Sequence, residues 1–109
     1  SGKLAFIMPA DTCEGIFAKP LWSWISAHFR IDAVCTFSEE ATPFPGVDTN
    51  AIVFFIRNEK PKDDLVWMRA TEPHIPSLLE AVEADFPVEN RRGLDAHKRL
   101  LREAISTGL

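Results

Sequence analysis

The sequence of 109 residues lacks the features that several classes of protein require. Its only two cysteines, Cys13 and Cys35, lie far apart, which matches neither a secreted disulfide scaffold nor a zinc site, so we expect free thiols. The longest apolar run has six residues, whereas a membrane span needs ~20. The apolar run near residue 1 is too short for a signal peptide. We therefore expect a soluble, cytoplasmic protein.

Positive charge is also scarce. Lysine and arginine number 12 against 16 aspartates and glutamates, so the formal net charge is −4 and no overall basic field attracts nucleic acid. The sequence contains no GxGxxG motif and no Walker lysine loop to bind nucleotide phosphates. With 46% apolar and 26% charged residues, the composition is that of one ordered globular domain.

The apolar pattern predicts a strand, a helix and two further strands. A continuous apolar run at residues 4–8 predicts a strand buried on both faces of a sheet. The apolar residues of 31–37, and the apolar run at 51–56, predict two further strands. Pro9 ends the first run, and Pro20 suits a first helical turn. The helix after Pro20 is apolar on most of its circumference, so we expect it to be well buried. The first two strands should form a right-handed parallel crossover. The long connection between the second and third strands allows these two strands to form a hairpin.

The second half of the chain predicts one short strand and two helices. Residues 65–68 are a candidate fourth strand. Pro76 opens a helix whose apolar stripe predicts its buried face: Ile75, Leu78, Leu79, Val82 and Phe86. A last helix is predicted from about Leu94 to Ser106, supported by charged pairs at i, i+4.

The first strand suggests that the chain is a piece of a larger protein. A parallel strand buried on both faces needs neighbours, and this strand starts at residue 4 with no element before it. We expect its free edge to pair with another half of the same domain or with a second copy.

Most candidate chemical groups have simpler interpretations. Cys13 follows a strand and is a candidate nucleophile with His28, His74 or His97 as a base, but a small turn cysteine is the simpler interpretation. The histidines have no metal-ligand spacing, so no metal site is predicted. The adjacent acidic pairs at 39–40 and 63–64 are interpreted as solvated charge.

Two features leave a binding role open. Basic residues concentrate late in the chain, and Arg91, Arg92 and Lys98 are candidate DNA phosphate contacts; the alternative is a solvated helix face. Phe44, between Pro43 and Pro45 on the loop before the third strand, is placed either to stack on a flat ligand or to fold back over the sheet edge.

Three stretches in order resemble the second half of the catalytic domain of amino-methylating DNA methyltransferases, most closely the N6-adenine enzymes of restriction–modification systems. They are GKLAFIMPADTCEGIFAKPLWSWI, FRIDAVCTF and TPFPGVDTNAIVFFI, within residues 2–57. In that family a G-G-x-L-x-F-x-x-P strand is followed by a helix, a strand, a phenylalanine–proline loop and a strand antiparallel to the rest. The resemblance implies an α/β fold class: a partial Rossmann-like S-adenosylmethionine-dependent methyltransferase fold, followed by two C-terminal helices.

The same resemblance implies a division of the chain and a set of site residues. Residues 1–70 correspond to the second half of a catalytic domain, and 71–109 to a helical extension that packs on it or leads to target recognition. Such enzymes flip an adenine out of the duplex and methylate its exocyclic amine with S-adenosylmethionine. Phe44 corresponds to the phenylalanine that stacks on the flipped base, and Pro9, Pro45 and Asn50 to the pocket loop around it.

Two motifs of that family are missing from this sequence. It contains no Asn/Asp-Pro-Pro-Tyr/Phe motif and no glycine-rich cofactor turn. The resemblance therefore implies a fragment that binds no cofactor and is inactive alone, whose full-length protein binds S-adenosylmethionine and DNA. Cytosine N4 stays open as the target. The rival interpretation is a small independent α/β interaction domain, and a cysteine-dependent enzyme is a distant third.

Overall fold

A computed structural model describes residues 2–9, 18–42 and 51–107. No helix within these ranges is long and apolar enough to cross a membrane. In chain order the elements are β1 (Lys3–Pro9), α1 (Ala18–His28), β2 (Arg30–Phe37), a 3₁₀ turn (Glu39–Ala41), β3 (Ala51–Arg57), β4 (Asp64–Ala70), α2 (Ile75–Glu83), β5 (Leu94–Leu100) and α3 (Leu101–Thr107).

The five strands form one sheet in the order β1-β3-β2-β4-β5. β3 is antiparallel to both β1 and β2, so β1 and β2 run in the same direction with β3 between them. β4 continues the sheet parallel to β2, and β5 is antiparallel to β4. The predicted α/β class is confirmed, as is the antiparallel third strand. The fourth strand is longer than the predicted 65–68.

Helices cover the two faces of the sheet and divide the core in two. On one face, Trp22 of α1 stacks on Phe54 of β3 with ring centroids 3.9 Å apart, and Ala104 of α3 completes this cluster. On the other face, Ala81 of α2 and Phe86 pack over the inner strands. The fold is therefore a three-layer α/β arrangement with α1 and α3 opposite α2.

The predicted burial of α1 is wrong for part of its surface. Trp22 and Ser26 are buried, whereas Leu21 and Trp24 are 42% and 56% exposed. Pro20 does lie in the first helical turn, as predicted. One stripe of α1 packs on the sheet, and the other apolar side chains stay largely exposed in the part of the chain that the structure describes.

The predicted last helix is wrong over residues 94–100, which form β5. Gly93, with φ +66°, turns the chain so that Leu94 and Arg91 exchange backbone hydrogen bonds. The strand then pairs with β4 from Leu94 to Leu100. Leu94 and Ala96 face the core while Asp95 and His97 are exposed. This alternation in burial is typical of a strand, although the charged residues have helical spacing. Only Leu101–Thr107 is helical.

The end of α2 is fixed by a left-handed turn. Phe86 N–H donates to the Ala81 carbonyl at 2.8 Å and Asp85 N–H to the Val82 carbonyl at 3.1 Å, the pair of bonds of a Schellman cap. Asp85 and Phe86 have φ of 62° and 56°, which is costly for residues other than glycine. Phe86 offsets this cost by packing against Phe55, with ring centroids 4.9 Å apart.

Candidate functional site

The structure places one of the predicted pocket residues. Pro9 is the last residue of β1 and pairs with Ala51, the first residue of β3. Asn50 directly precedes Ala51 in the chain, so the segment that carries Phe44 and Pro45 rejoins the sheet beside Pro9. Phe44, Pro45 and Asn50 themselves lie outside the described residues.

The outer edge of β1 presents backbone groups that pair with no other described strand. Asn58 N–H donates to the Gly2 carbonyl at 2.9 Å, and β1 and β3 keep one register throughout. Because hydrogen-bonding direction alternates along an antiparallel strand, Leu4 points its backbone groups toward β3, whereas Lys3, Ala5 and Ile7 point theirs outward. Pro9 falls in the outward set, where its missing N–H breaks no bond to β3. No strand of the described ranges lies beyond β1.

Each face of β1 exposes an apolar side chain among the residues whose side chains are described. Leu4 is 58% exposed on one face and Ile7 is 53% exposed on the other. Next to Leu4 lies the α1 groove, about 430 Å³ in volume, whose walls are Trp24, Ile25, Phe29 and Ile56. Next to Ile7 lies the α2 groove, about 490 Å³, between β1 and α2. An apolar strand with an open edge and a groove on each face is typical of a surface on which another element or another chain packs.

The apolar stripe of α2 lines its groove instead of filling the core. Ile75, Leu79 and Val82 are 66%, 55% and 37% exposed and all three line the α2 groove. The residues that α2 buries are Ser77 and Ala81. The predicted stripe is therefore wrong as a buried face, except for half-buried Leu78 and for Phe86 beyond the helix end.

Arg57, which lines the α1 groove, is the centre of a charged cluster that the sequence did not reveal. Arg57 reaches Asp32 at 3.1 Å, Glu59 at 3.2 Å and also Asp85. The hydrogen bond that Arg57 donates to Asp85 is the main cause that raises the pKa of Arg57 above its ordinary value. The cluster ties β2, β3 and the end of α2 together. Asp32 and Asp85 lie 25 and 28 residues from Arg57 along the chain, so no local motif reveals it.

The three candidate phosphate contacts each lie beside a carboxylate. Arg92 pairs with Glu72 at 2.9 Å, Arg91 with Glu89 at 3.1 Å, and Lys98 with Asp64 at 3.7 Å. Arg91 and Arg92 are neighbours in the turn before β5, where Arg91 pairs with Leu94. Lys98 lies four residues along the strand from Leu94, about 14 Å at ~3.4 Å per residue. The structure does not gather the three cations at one point.

The other candidate groups show no assembled chemistry. Cys35 is a free, buried thiol whose pKa is raised to about 12 by burial, so it is a poor nucleophile; Cys13 lies outside the described residues. His28 bonds to the Trp24 carbonyl at 2.8 Å through Nδ1, and His74 and His97 belong to other elements. Among the described residues no group of histidine, cysteine and carboxylate side chains forms a metal site.

Comparison with known proteins identifies the fold. No protein-family model matches the sequence, and no curated protein does. A solved modification subunit assigned to a type I restriction enzyme of Vibrio vulnificus YJ016 superposes on 94% of this chain with a TM-score of 0.70 and 16% identity. The chain therefore has the fold of part of this modification subunit.

Two further solved structures have this fold. The type IIG restriction endonuclease BpuSI matches 97% of the chain, with a TM-score of 0.68 and 16% identity. A chain of a type I restriction–modification system matches 95%, with a TM-score of 0.69 and 12% identity. The present chain spans only 23%, 13% and 26% of these three chains.

Proposed function

We propose that this chain is part of an S-adenosylmethionine-dependent DNA methyltransferase of a restriction–modification system that methylates N6 of adenine. One observation carries the proposal: the strand after the Phe44 segment, β3, runs antiparallel to the two strands before it and lies between them. That is the element order of the family the sequence resembles. The fold shared with restriction–modification subunits supports it.

The chain's own contribution is part of the sheet and the wall that receives the flipped base. Pro9 and Ala51 are paired at one end of the sheet, and Asn50 directly precedes Ala51 in the sequence. Phe44 stands between two prolines in the sequence, which limits the conformational entropy lost when the ring stacks on a base. Stacking and edge hydrogen bonds offset the few kcal/mol that base extrusion costs.

Cofactor binding is assigned to the rest of the full-length protein. S-adenosylmethionine supplies the methyl group when bound there. The α1 and α2 grooves are lined mainly by apolar side chains, and the sequence has neither the glycine-rich turn nor the Asn/Asp-Pro-Pro-Tyr/Phe motif. We therefore expect the 109-residue chain alone to be inactive.

We propose that Arg91, Arg92 and Lys98 contact DNA phosphates by exchanging their carboxylate partners for phosphate groups. Each cation lies beside a carboxylate, so a phosphate has to replace that carboxylate. Arg92 and Lys98 have mostly exposed side chains. Breaking their ion pairs therefore costs little free energy, because exposed ion pairs contribute at most about 1 kcal/mol.

Isothermal titration with S-adenosylmethionine tests the assignment of the cofactor site. We expect no binding to the 109-residue chain and binding to a polypeptide extended upstream by roughly 200 residues, since the motifs that bind cofactor and target amine precede this part in the resembled family. Binding to neither polypeptide would contradict the proposal and favour an independent interaction domain. Methylation of adenine or cytosine by the longer polypeptide then identifies the target base.

The open β1 edge predicts self-association of the isolated chain. Ile7→Pro removes an outward N–H and should lower the apparent mass in light scattering at high concentration, while the fold remains intact. Leu4→Pro is the matched control, because Leu4 and Ile7 are both more than half exposed. The backbone N–H of Leu4, however, points toward β3, so its loss should destabilise the sheet. A parent chain that stays monomeric at high concentration would contradict the prediction.

A further inference from the structure

Arg69 is an exposed cation at the end of the sheet where the parallel strands end. β1, β2 and β4 run in one direction, so their last residues, Pro9, Phe37 and Ala70, lie at the same end. In open α/β sheets, ligands bind outside the carboxyl ends of the strands. Arg69 directly precedes Ala70 and is exposed, although both of its neighbours in the strand are buried. Arg69 therefore stands at the end of the sheet where such folds bind ligands.

The strand register places Arg69 near the start of β3. Ile52 of β3 pairs with Thr36 of β2, and Thr36 pairs with Arg69 of β4. The three residues therefore share one row across the sheet and one face of it. Two strand spacings of ~4.8 Å put Arg69 about 10 Å from Ile52. The segment that carries Phe44 ends at Ala51, the residue before Ile52. Arg69 is thus the strand arginine nearest in the register to the end of that segment.

Arg69 lacks the partner that neighbouring arginines have. Arg92 pairs with a glutamate, and the guanidinium of Arg99 lies over the ring of Trp67, 4.3 Å from its centroid. Asp95 is directly opposite Arg69 on β5. Within the described ranges, however, neither Asp95 nor any other carboxylate forms an ion pair with Arg69. An anion from outside this part of the chain can therefore reach the guanidinium without displacing a bound carboxylate.

The acidic turn that follows β2 belongs to the other face of the sheet. The turn Glu39–Ala41 packs Ala41 into the core beneath α2. Arg69 alternates with buried Met68 and shares its face with Trp67, which packs in the cluster beneath α1 and α3. Asp95 is therefore the one carboxylate of the described strands that shares the row of Arg69.

We propose that Arg69 binds a backbone phosphate of the DNA strand that carries the extruded base. The inference rests on the proposed function, in which that base stacks on Phe44. A nucleotide drawn out of the duplex brings its flanking phosphates with it, and a planar guanidinium binds a phosphate through two parallel hydrogen bonds. Phosphate contacts fix the position of a strand and read no sequence. Arg69 thus positions the target strand while Phe44 holds the base.

The salt dependence of DNA binding tests the inference. Arg69→Gln in the full-length protein should reduce the slope of log affinity against log salt by about 1, the contribution of one neutralised phosphate. The affinity should fall equally for DNA with and without the recognition sequence, because phosphate contacts read no bases. Arg69→Lys should restore the slope, since lysine keeps the positive charge. An unchanged slope for Arg69→Gln would overturn the inference.

Arg102→Gln is the matched control. Arg102 is also exposed and forms no ion pair with another residue of the described ranges. It follows β5, whose last residue, Leu100, pairs with Asp64 at the opposite end of β4. Its substitution should leave the salt slope unchanged. An equal decrease for the two variants would show a general effect of net charge and would overturn the inference.

Neutral phosphate analogues locate the contact. Each phosphate that flanks the target nucleotide is replaced in turn by a methylphosphonate, which carries no charge. At one position the replacement should weaken binding by the parent protein and have no further effect on binding by Arg69→Gln, the result of a double-mutant cycle for two groups in contact. Equal losses of affinity for parent and variant at every position would contradict the assignment.

Methylation by the parent protein separates this inference from the proposed function. If the parent protein methylates DNA and Arg69→Gln keeps the full salt slope, the phosphate contact is overturned and the proposed function stands. If the parent protein neither binds nor methylates DNA, both are overturned.

Discussion

Trp22→Ala is expected to lower the free energy of unfolding of the isolated chain by about 3–5 kcal/mol. Trp22 is 2% exposed and its ring stacks on Phe54, which is fully buried. The substitution removes the burial of a large ring and its aromatic pairing, and leaves a cavity between α1 and the sheet. Domains of this kind have only about 5–15 kcal/mol of stability. Urea unfolding followed by circular dichroism measures the change.

Trp24→Ala is the matched control for this prediction. Trp24 lies two residues along the same helix but is 56% exposed, and it rests against His28. Its removal should change stability by less than about 1 kcal/mol. Similar losses for the two substitutions would show that α1 does not dock through Trp22 as described.

Phe44→Ala is expected to weaken binding of the full-length protein to DNA with an unpaired target base by about 1–3 kcal/mol. The proposed reason is loss of stacking on the extruded base, and the corresponding decrease in affinity is roughly 5- to 150-fold. Fluorescence anisotropy with an abasic or mismatched partner opposite the target measures it. Methylation rates should fall in parallel, because the base is held less well in the pocket.

The control for Phe44 retains the aromatic face. Phe44→Trp should keep most of the affinity, since stacking tolerates different flat side chains. If Phe44→Ala leaves both the affinity and the methylation kinetics unchanged, the residue is not the stacking group, and the alternative in which it covers the sheet edge is favoured.

The first three strands could be predicted from their apolar content. β1 and β3 contain continuous apolar runs at 4–8 and 51–56, and five of the eight residues of β2 are apolar; such segments bounded by polar turns have few other structures open to them. The ordered resemblance then predicted the direction of β3. Neither prediction required knowledge of which strands are neighbours in the sheet.

The errors arose where local pattern and tertiary pairing disagree. Asp95 and Arg99 have helical spacing, but pairing of β5 with β4 outweighs a preference worth a few tenths of a kcal/mol. The stripe of α2 was identified correctly as apolar and wrongly as buried. Periodicity shows which face of a helix is apolar. It does not show whether the element that packs on that face belongs to the same stretch of chain.

The roles of the candidate site residues stay predictions. Pro9 ends β1, as the sequence pattern predicted, but Phe44, Pro45 and Asn50 lie outside the described residues. The Arg57 cluster was not predictable, because its carboxylates come from β2 and from the turn after α2. Only the folded sheet brings those residues to one place.

The position of β3 in the sheet also sets an order of events during synthesis. Pro9 pairs with Ala51 and Lys3 with Arg57, so β1 leaves the ribosome with its partner about 40 to 50 residues behind. At ~5–20 residues per second, the strand waits roughly 2–10 s without that partner. In the full-length protein proposed above, a preceding half of the domain would already be synthesised and would meet β1 first. The charged edge of β5, with His97 and Lys98 exposed, emerges last and invites no such pairing. Assembly would then proceed across the sheet from the β1 edge toward β5.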